Sequence, residues 1–115
     1  MKKWAYLING IAELAGGIIL YFNGQNIFPG TSMILLKIYA LAAASLGLLS
    51  LLLYTGYDKY KYDNRLYLVF MFFQAAIAMS CYAASPSELP LKLEACLFHL
   101  GLFVIFFIAY MKDVK

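Results

Sequence analysis

Three polar side chains could do chemistry in this chain: Glu13, Gln74 and His99. Each interrupts a different apolar run. An ionisable side chain at the centre of a bilayer costs roughly 2.5–3.5 kcal/mol on insertion scales, so each one needs a reason. A low-dielectric surround disfavours the charged form of a carboxyl. Glu13 could therefore exchange a proton during transport or ligand binding. Bonded to His99, Gln74 or Lys37, it would instead lock a helix bundle together. His99 could relay a proton, ligate a haem or hydrogen-bond a quinone, or sit as a satisfied core residue. It is the sole histidine, so no bis-histidine pair can form.

The elements that must position these residues follow from composition. The 115 residues are 64% hydrophobic and 13% charged, with a mean hydropathy of +0.78. Soluble domains run at about 45–50% apolar and about 25% charged. A soluble domain, a disordered tail and a disulfide scaffold are excluded. A spanning helix needs about 20 mostly apolar residues. Four such runs fit, at 4–23, 32–54, 66–85 and 91–111. They leave no room for a soluble catalytic domain, so one integral membrane domain covers 1–115. Met1, Lys2 and Lys3 precede an apolar run. That run is too long for a signal h-region, carries Asn9 and Glu13, and lacks a clean cleavage site.

Short connections at 24–31, 55–65 and 86–90 make neighbouring helices antiparallel. Pro29-Gly30 marks a tight turn in the first, and Pro86 and Pro90 in the third. Lys2, Lys3, Lys59, Lys61, Arg65, Lys112 and Lys115 fall on one side. Lys92 and Lys37 fall toward the other. The positive-inside rule then puts both termini in the cytoplasm. The expected fold is an all-α, four-transmembrane-helix antiparallel bundle, N-in/C-in, in a bacterial-style inner membrane. Trp4, Tyr6, Tyr54, Tyr57, Tyr67 and Tyr110 fall near the inner boundary, and Tyr21, Phe22, Phe28 and Tyr82 near the outer one, as aromatic belts do. The net charge of +3 reports orientation and does not point to nucleic acid, because no basic domain exists to hold a duplex. The stretch 56–65, GYDKYKYDNR, could grip anionic headgroups or simply anchor the topology.

Depth and helical phase test convergence. Counting from the outer boundary at ~1.5 Å per residue, Glu13 lies about 15 Å deep, Gln74 about 16 Å, His99 about 12 Å and Asn9 about 21 Å. Lys37 lies about 7 Å deep and Glu94 about 5 Å by the same count. Asn9, Glu13, Gly16 and Leu20 share a face of the first helix, and Gln74, Ala78, Cys81 and Ser85 a face of the third. Cys96 and His99 are one turn apart on the fourth, while Glu94 points elsewhere and is expected at the interface. Gly16-Gly17 and the strip Ala40, Ala44, Gly47 suit close helix contact. These residues predict a polar interior pocket holding Glu13, Gln74 and His99, with Asn9 on the same face. Lys37 would sit near the outer mouth or snorkel to the surface. Cys81 and Cys96, at matching depths, could form a disulfide if their Cα atoms come within about 7 Å; otherwise they are small buried hydrophobes. No metal-ligand spacing occurs.

The stretch Gly10-Ile11-Ala12-Glu13-Leu14-Ala15-Gly16-Gly17-Ile18-Ile19-Leu20 resembles the first helix of DoxX-like small membrane proteins, as do the size and span number. The resemblance implies a four-helix membrane bundle, sometimes a partner of quinone or sulfur redox enzymes. The same stretch looks like the first helix of small multidrug-resistance transporters, which carry one mid-membrane glutamate there. That family's third helix usually has Tyr and Trp around glycine, whereas this third span has no Trp, and His99 has no counterpart in it.

Three functions remain open. The first is a module holding a hydrophobic or quinone-like molecule, or a partner membrane subunit or second copy, around Glu13, Gln74 and His99. In that case any redox cofactor would belong to the partner. The second is a proton-coupled exporter using Glu13. The third is an enzyme acting on a lipid-soluble substrate, with Glu13 and His99 as acid and base.

Overall fold

A computed structural model describes residues 2–83 and 92–114. The chain is all-α, with no strand among the described residues. It forms α1 (Lys2–Ile27), α2 (Met33–Thr55), α3 (Tyr57–Tyr60), α4 (Asn64–Ala83) and α5 (Lys92–Val114). All but the one-turn α3 are long and apolar enough to cross a membrane. Twenty helical residues rise about 30 Å, the thickness of a bilayer's hydrocarbon core.

Burial is inverted relative to a soluble protein. Asn9, Glu13, Ser50, Gln74 and His99 are buried, while Phe22, Phe72 and Met79 are each more than 70% exposed. In water such an apolar surface would mark an aggregation liability. Against lipid it is the stable arrangement, because only polar groups need the protein interior there.

The helix ends follow local chemistry. α1 runs past the expected boundary at 23, but Asn23 breaks its geometry (φ −127°, ψ 16°) and kinks the helix at that position. The first connection is a tight turn, as its breakers predict. Thr31 N–H donates to the Phe28 carbonyl at 3.3 Å, and Gly30 takes φ +84°. Proline followed by a left-handed glycine is the type II pattern. Ser32 then caps α2, its hydroxyl accepting from Leu35 N–H at 3.5 Å. In the second connection Arg65 closes on Asp63 through its backbone N–H, Nε and Nη2 at 3.0, 3.0 and 2.7 Å. Those hydrogen bonds hold the Asp63 carboxyl down at about 2. The expected third turn, 86–90, lies outside the described residues.

α1 packs most closely on α2, and α4 on α5, with a lighter contact between α1 and α5. Two helical hairpins, meaning pairs of long helices consecutive in the chain, are thus laid side by side. The α1–α2 seam is made by glycine. Gly10 meets Gly47 and Leu51, Gly17 meets Ala40 and Ala44, and Gly24 meets Leu36. The expected strip Ala40, Ala44, Gly47 lies in this seam. Of the pair Gly16-Gly17, only Gly17 makes the close approach; Gly16 faces open space.

Aromatic side chains close one end of the bundle. Tyr6, Tyr67, Phe70 and Phe106 form a buried cluster drawn from both hairpins. Phe70 and Phe106 stack at 5.9 Å, and Tyr6 stands edge-on to Tyr67 at 5.4 Å. Such pairs add about 0.5–1.5 kcal/mol each beyond burial. Tyr67 donates its hydroxyl to the Phe106 carbonyl at 2.6 Å, and Ser50 donates to the Tyr6 carbonyl at 2.6 Å. Lys2 donates to Asn64 Oδ1 and lies over the rings of Tyr67 and Tyr110, about 5.4 and 5.5 Å from their centroids. The first residue of α4 and a residue from the last turns of α5 therefore meet the start of α1.

Candidate functional site

Beyond the aromatic end, one connected polar cluster bridges the hairpins. Its hub is Gln74 on α4, fully buried. The Gln74 Nε2 group donates to Asn9 Oδ1 and to Glu13 Oε1, each at 2.8 Å. The same amide's Oε1 stands 2.6 Å from His99 Nδ1. His99 Nε2 stands 3.1 Å from the Tyr39 hydroxyl, and His99 Nδ1 is also 3.6 Å from Glu13 Oε1. All four long helices contribute: Asn9 and Glu13 from α1, Tyr39 from α2, Gln74 from α4 and His99 from α5.

Donor counting sets the direction of this chain. An amide oxygen only accepts, so the His99 Nδ1 facing Gln74 Oε1 must carry its proton. With a neutral ring, Nε2 then accepts, and Tyr39 donates to it. Hydrogen flows from Tyr39 to His99 to Gln74, and from Gln74 to Asn9 and Glu13. One donor is left over: Asn9 Nδ2 is buried with no partner among the described residues.

A cavity of about 410 Å³ begins at this cluster. Glu13, Tyr39 and His99 line one end of it, and Phe28 and Thr31 of the first connection line the other. Its walls are otherwise mostly apolar, including Leu20, Leu36, Ile77 and Phe98. Gly16 lines it too, which explains why that glycine touches no neighbouring helix. Ligand sites typically occupy about 300–1,000 Å³ and combine apolar walls with a few convergent polar groups. Glu13 Oε1 is held by Gln74, whereas its Oε2 has no hydrogen bond among the described residues.

The structure brings Glu13, Gln74, His99 and Asn9 together as their depth and phase predicted. Two alternatives that the sequence leaves open are decided. Lys37 does not line this cavity. Its ammonium lies 4.5 Å from the centroid of the Tyr21 ring, and it borders a separate cavity of about 290 Å³ with Asn23, Gln25 and Asn26. The long stem reaches an aromatic face at the helix end, where the charge keeps its hydration. Cys81 and Cys96 are both free thiols, so no disulfide links α4 to α5. Cys81 instead lines the cavity. Glu94 is exposed. Tyr39 belongs to the cluster and was missed by sequence reasoning; a tyrosine inside a span, in neither aromatic belt, was the available signal. Among the described residues no three His, Cys, Asp or Glu side chains gather as metal ligands would.

Compared with protein-family models, curated proteins and solved structures, the chain matches none of them.

Proposed function

We propose that this is a small integral membrane module that holds an apolar or amphipathic molecule in the cavity ending at Glu13, Tyr39 and His99. The observation that carries this reading is the cavity itself: apolar walls at lipid depth, with a hydrogen-bonded polar cluster at one end only. A purely structural cluster would be packed over; this one is left facing open space. A partner subunit carrying a redox cofactor is compatible with this role, as the DoxX-like resemblance of the first helix implies.

Gly16 supplies the test. Gly16→Phe fills the cavity from a position that touches no helix. Gently purified wild type is expected to carry a bound small molecule in native mass spectrometry. Gly16→Phe is expected to lose that molecule while keeping its thermal unfolding midpoint. A wild type that emerges empty from several membrane sources would end this reading.

The bundle is proposed to be antiparallel, with both termini and the α2–α4 connection in the cytoplasm of a bacterial-type cell. The seven basic residues on that side support this orientation. The meeting of Lys2 with Asn64 and Tyr110 at one end supports the even span count. Reporter fusions at each terminus should both be active only in the cytoplasmic format; a periplasmic signal from either would reverse the assignment.

A further inference from the structure

We infer that the cavity takes a neutral, chain-like apolar molecule ending in a hydrogen-bond acceptor, a ketone or ester carbonyl, and that it takes this molecule together with one proton held by the Glu13–His99 pair. The inference rests on the ligand-binding role proposed above. Gln74 makes the case, because it leaves the cluster few choices. Its amide fixes a proton on His99 Nδ1 and fixes Glu13 Oε1 as an acceptor. With Glu13 ionised and His99 neutral, the hydrogen of Tyr39 is committed to His99 Nε2. Glu13 Oε2 then offers the cavity only an acceptor, and the donors that remain in the lining are the Ser80 and Thr31 hydroxyls and the weakly donating Cys81 thiol.

One added proton changes this. It has two places to go, because Gln74 occupies the others. On His99 Nε2 it makes that nitrogen a donor to the Tyr39 oxygen, and the Tyr39 hydrogen is released toward the cavity. On Glu13 Oε2 it makes a carboxylic O–H, itself a donor at the same end. By either route the polar cluster itself gains a donor, at Tyr39 or at Glu13, where it had none. The wall around it is mostly apolar and supplies few groups to compete for a carbonyl, and an unmet buried donor is costly.

Charge selects the proton-loaded state. The titratable groups facing Glu13 across the cavity are Tyr39 from α2, Cys81 from α4 and His99 from α5. No Lys or Arg lines the cavity among the described residues, and Lys37 is turned to Tyr21. A lone carboxylate in this position has no cation, which is unfavourable at low dielectric. The proton-loaded cluster is electrically neutral and is the form that presents the donor. An anionic ligand would place a second negative charge beside Glu13 and is excluded by the same count.

The test uses the full chain in detergent with a long-chain methyl ketone labelled at its carbonyl carbon. The alkane and the primary alcohol of equal length serve as comparators. The ketone should bind with its carbonyl stretch lowered. Its affinity should rise about tenfold per unit fall in pH wherever the free cluster is unloaded, the slope of one linked proton. At those same pH values, calorimetry in buffers of different ionisation heat should show one proton taken up. Glu13→Gln should bind the ketone with no pH dependence. In Tyr39→Phe, loss of the carbonyl shift assigns the proton to His99, and a retained shift assigns it to Glu13; either supports the inference. Ketone binding by wild type that stays unchanged up to pH values at which the free cluster has lost its proton, or a preference for the alcohol with the ketone excluded, overturns it. If Glu13→Gln does not fold, the wild-type titration alone decides. If no probe binds in a manner that Gly16→Phe abolishes, the ligand-binding role itself fails.

Discussion

Gln74→Leu should destabilise the protein more than any other single replacement of a polar side chain. Leucine matches glutamine in bulk, so little packing is lost. What disappears is the hub. Asn9 Oδ1, Glu13 Oε1 and His99 Nδ1 all lose their partner at once, and all three residues are buried. A buried polar group left unpaired costs about 1–3 kcal/mol, more when charged. With partial relaxation of the three, the loss comes to roughly 3–5 kcal/mol. The midpoint of thermal unfolding in detergent is the measurement. Asn9→Leu is the internal comparison. It removes one acceptor but also the unpartnered Nδ2, so its effect should be clearly smaller. If Gln74→Leu melts with wild type, the cluster does not hold the hairpins together.

The second large effect is expected at Gly17. A Cβ there would stand 2.6 Å from the Ala40 carbonyl oxygen and 2.7 Å from the Ala44 nitrogen. Both are backbone atoms of a helix and cannot turn aside as a side chain would. Gly17→Val therefore has to separate α1 from α2. Overpacking of this kind typically costs 1–3 kcal/mol, and here roughly the upper end or beyond, because the whole seam is displaced. Gly16→Ala, one residue away, meets nothing within 4 Å. It should stabilise α1 by up to about 0.8–1.0 kcal/mol through helix propensity. Adjacent glycines should thus respond with opposite signs in the same unfolding assay. Equal destabilisation by both would mean that the seam runs elsewhere.

Much of this architecture is readable from residue types. Hydropathy locates the four long helices to within a few residues, because each apolar run is bounded by charge or by Pro and Gly. The cluster is readable for a related reason. A polar residue inside an apolar span is rare enough that depth and phase together leave few ways to satisfy it. Glu13, Gln74 and His99 lie at similar depth, and Asn9 is one turn from Glu13 on the same face. Tyr39 is less legible, since a phenol is at home in a lipid-facing, interfacial or core position. Its role depends on which way α2 is rotated, which is set by Gly17 and Gly47 across the seam. Lys37 shows the converse. Its charge makes it a candidate, but a stem long enough to reach Tyr21 makes its depth a poor guide to where the ammonium lies. The cysteines match in depth, but depth alone does not bring two side chains face to face. Nor did the pattern disclose the split into two tight hairpins, because small residues occur in every span and only packing shows which strips meet.

That split bears on how the molecule is made. Glu13 enters the bilayer on the first hairpin, and its hydrogen-bond donor is encoded 61 positions later. At roughly 5–20 residues per second, translation leaves the first hairpin waiting on the order of 3–12 s for Gln74. Throughout that interval it presents an unmatched carboxyl, and afterwards the second hairpin arrives with an unmatched amide and imidazole. Neither half is comfortable in lipid alone. The cluster is therefore whole only once both hairpins have met, and a half-built molecule differs from a completed one by its unsatisfied polar groups.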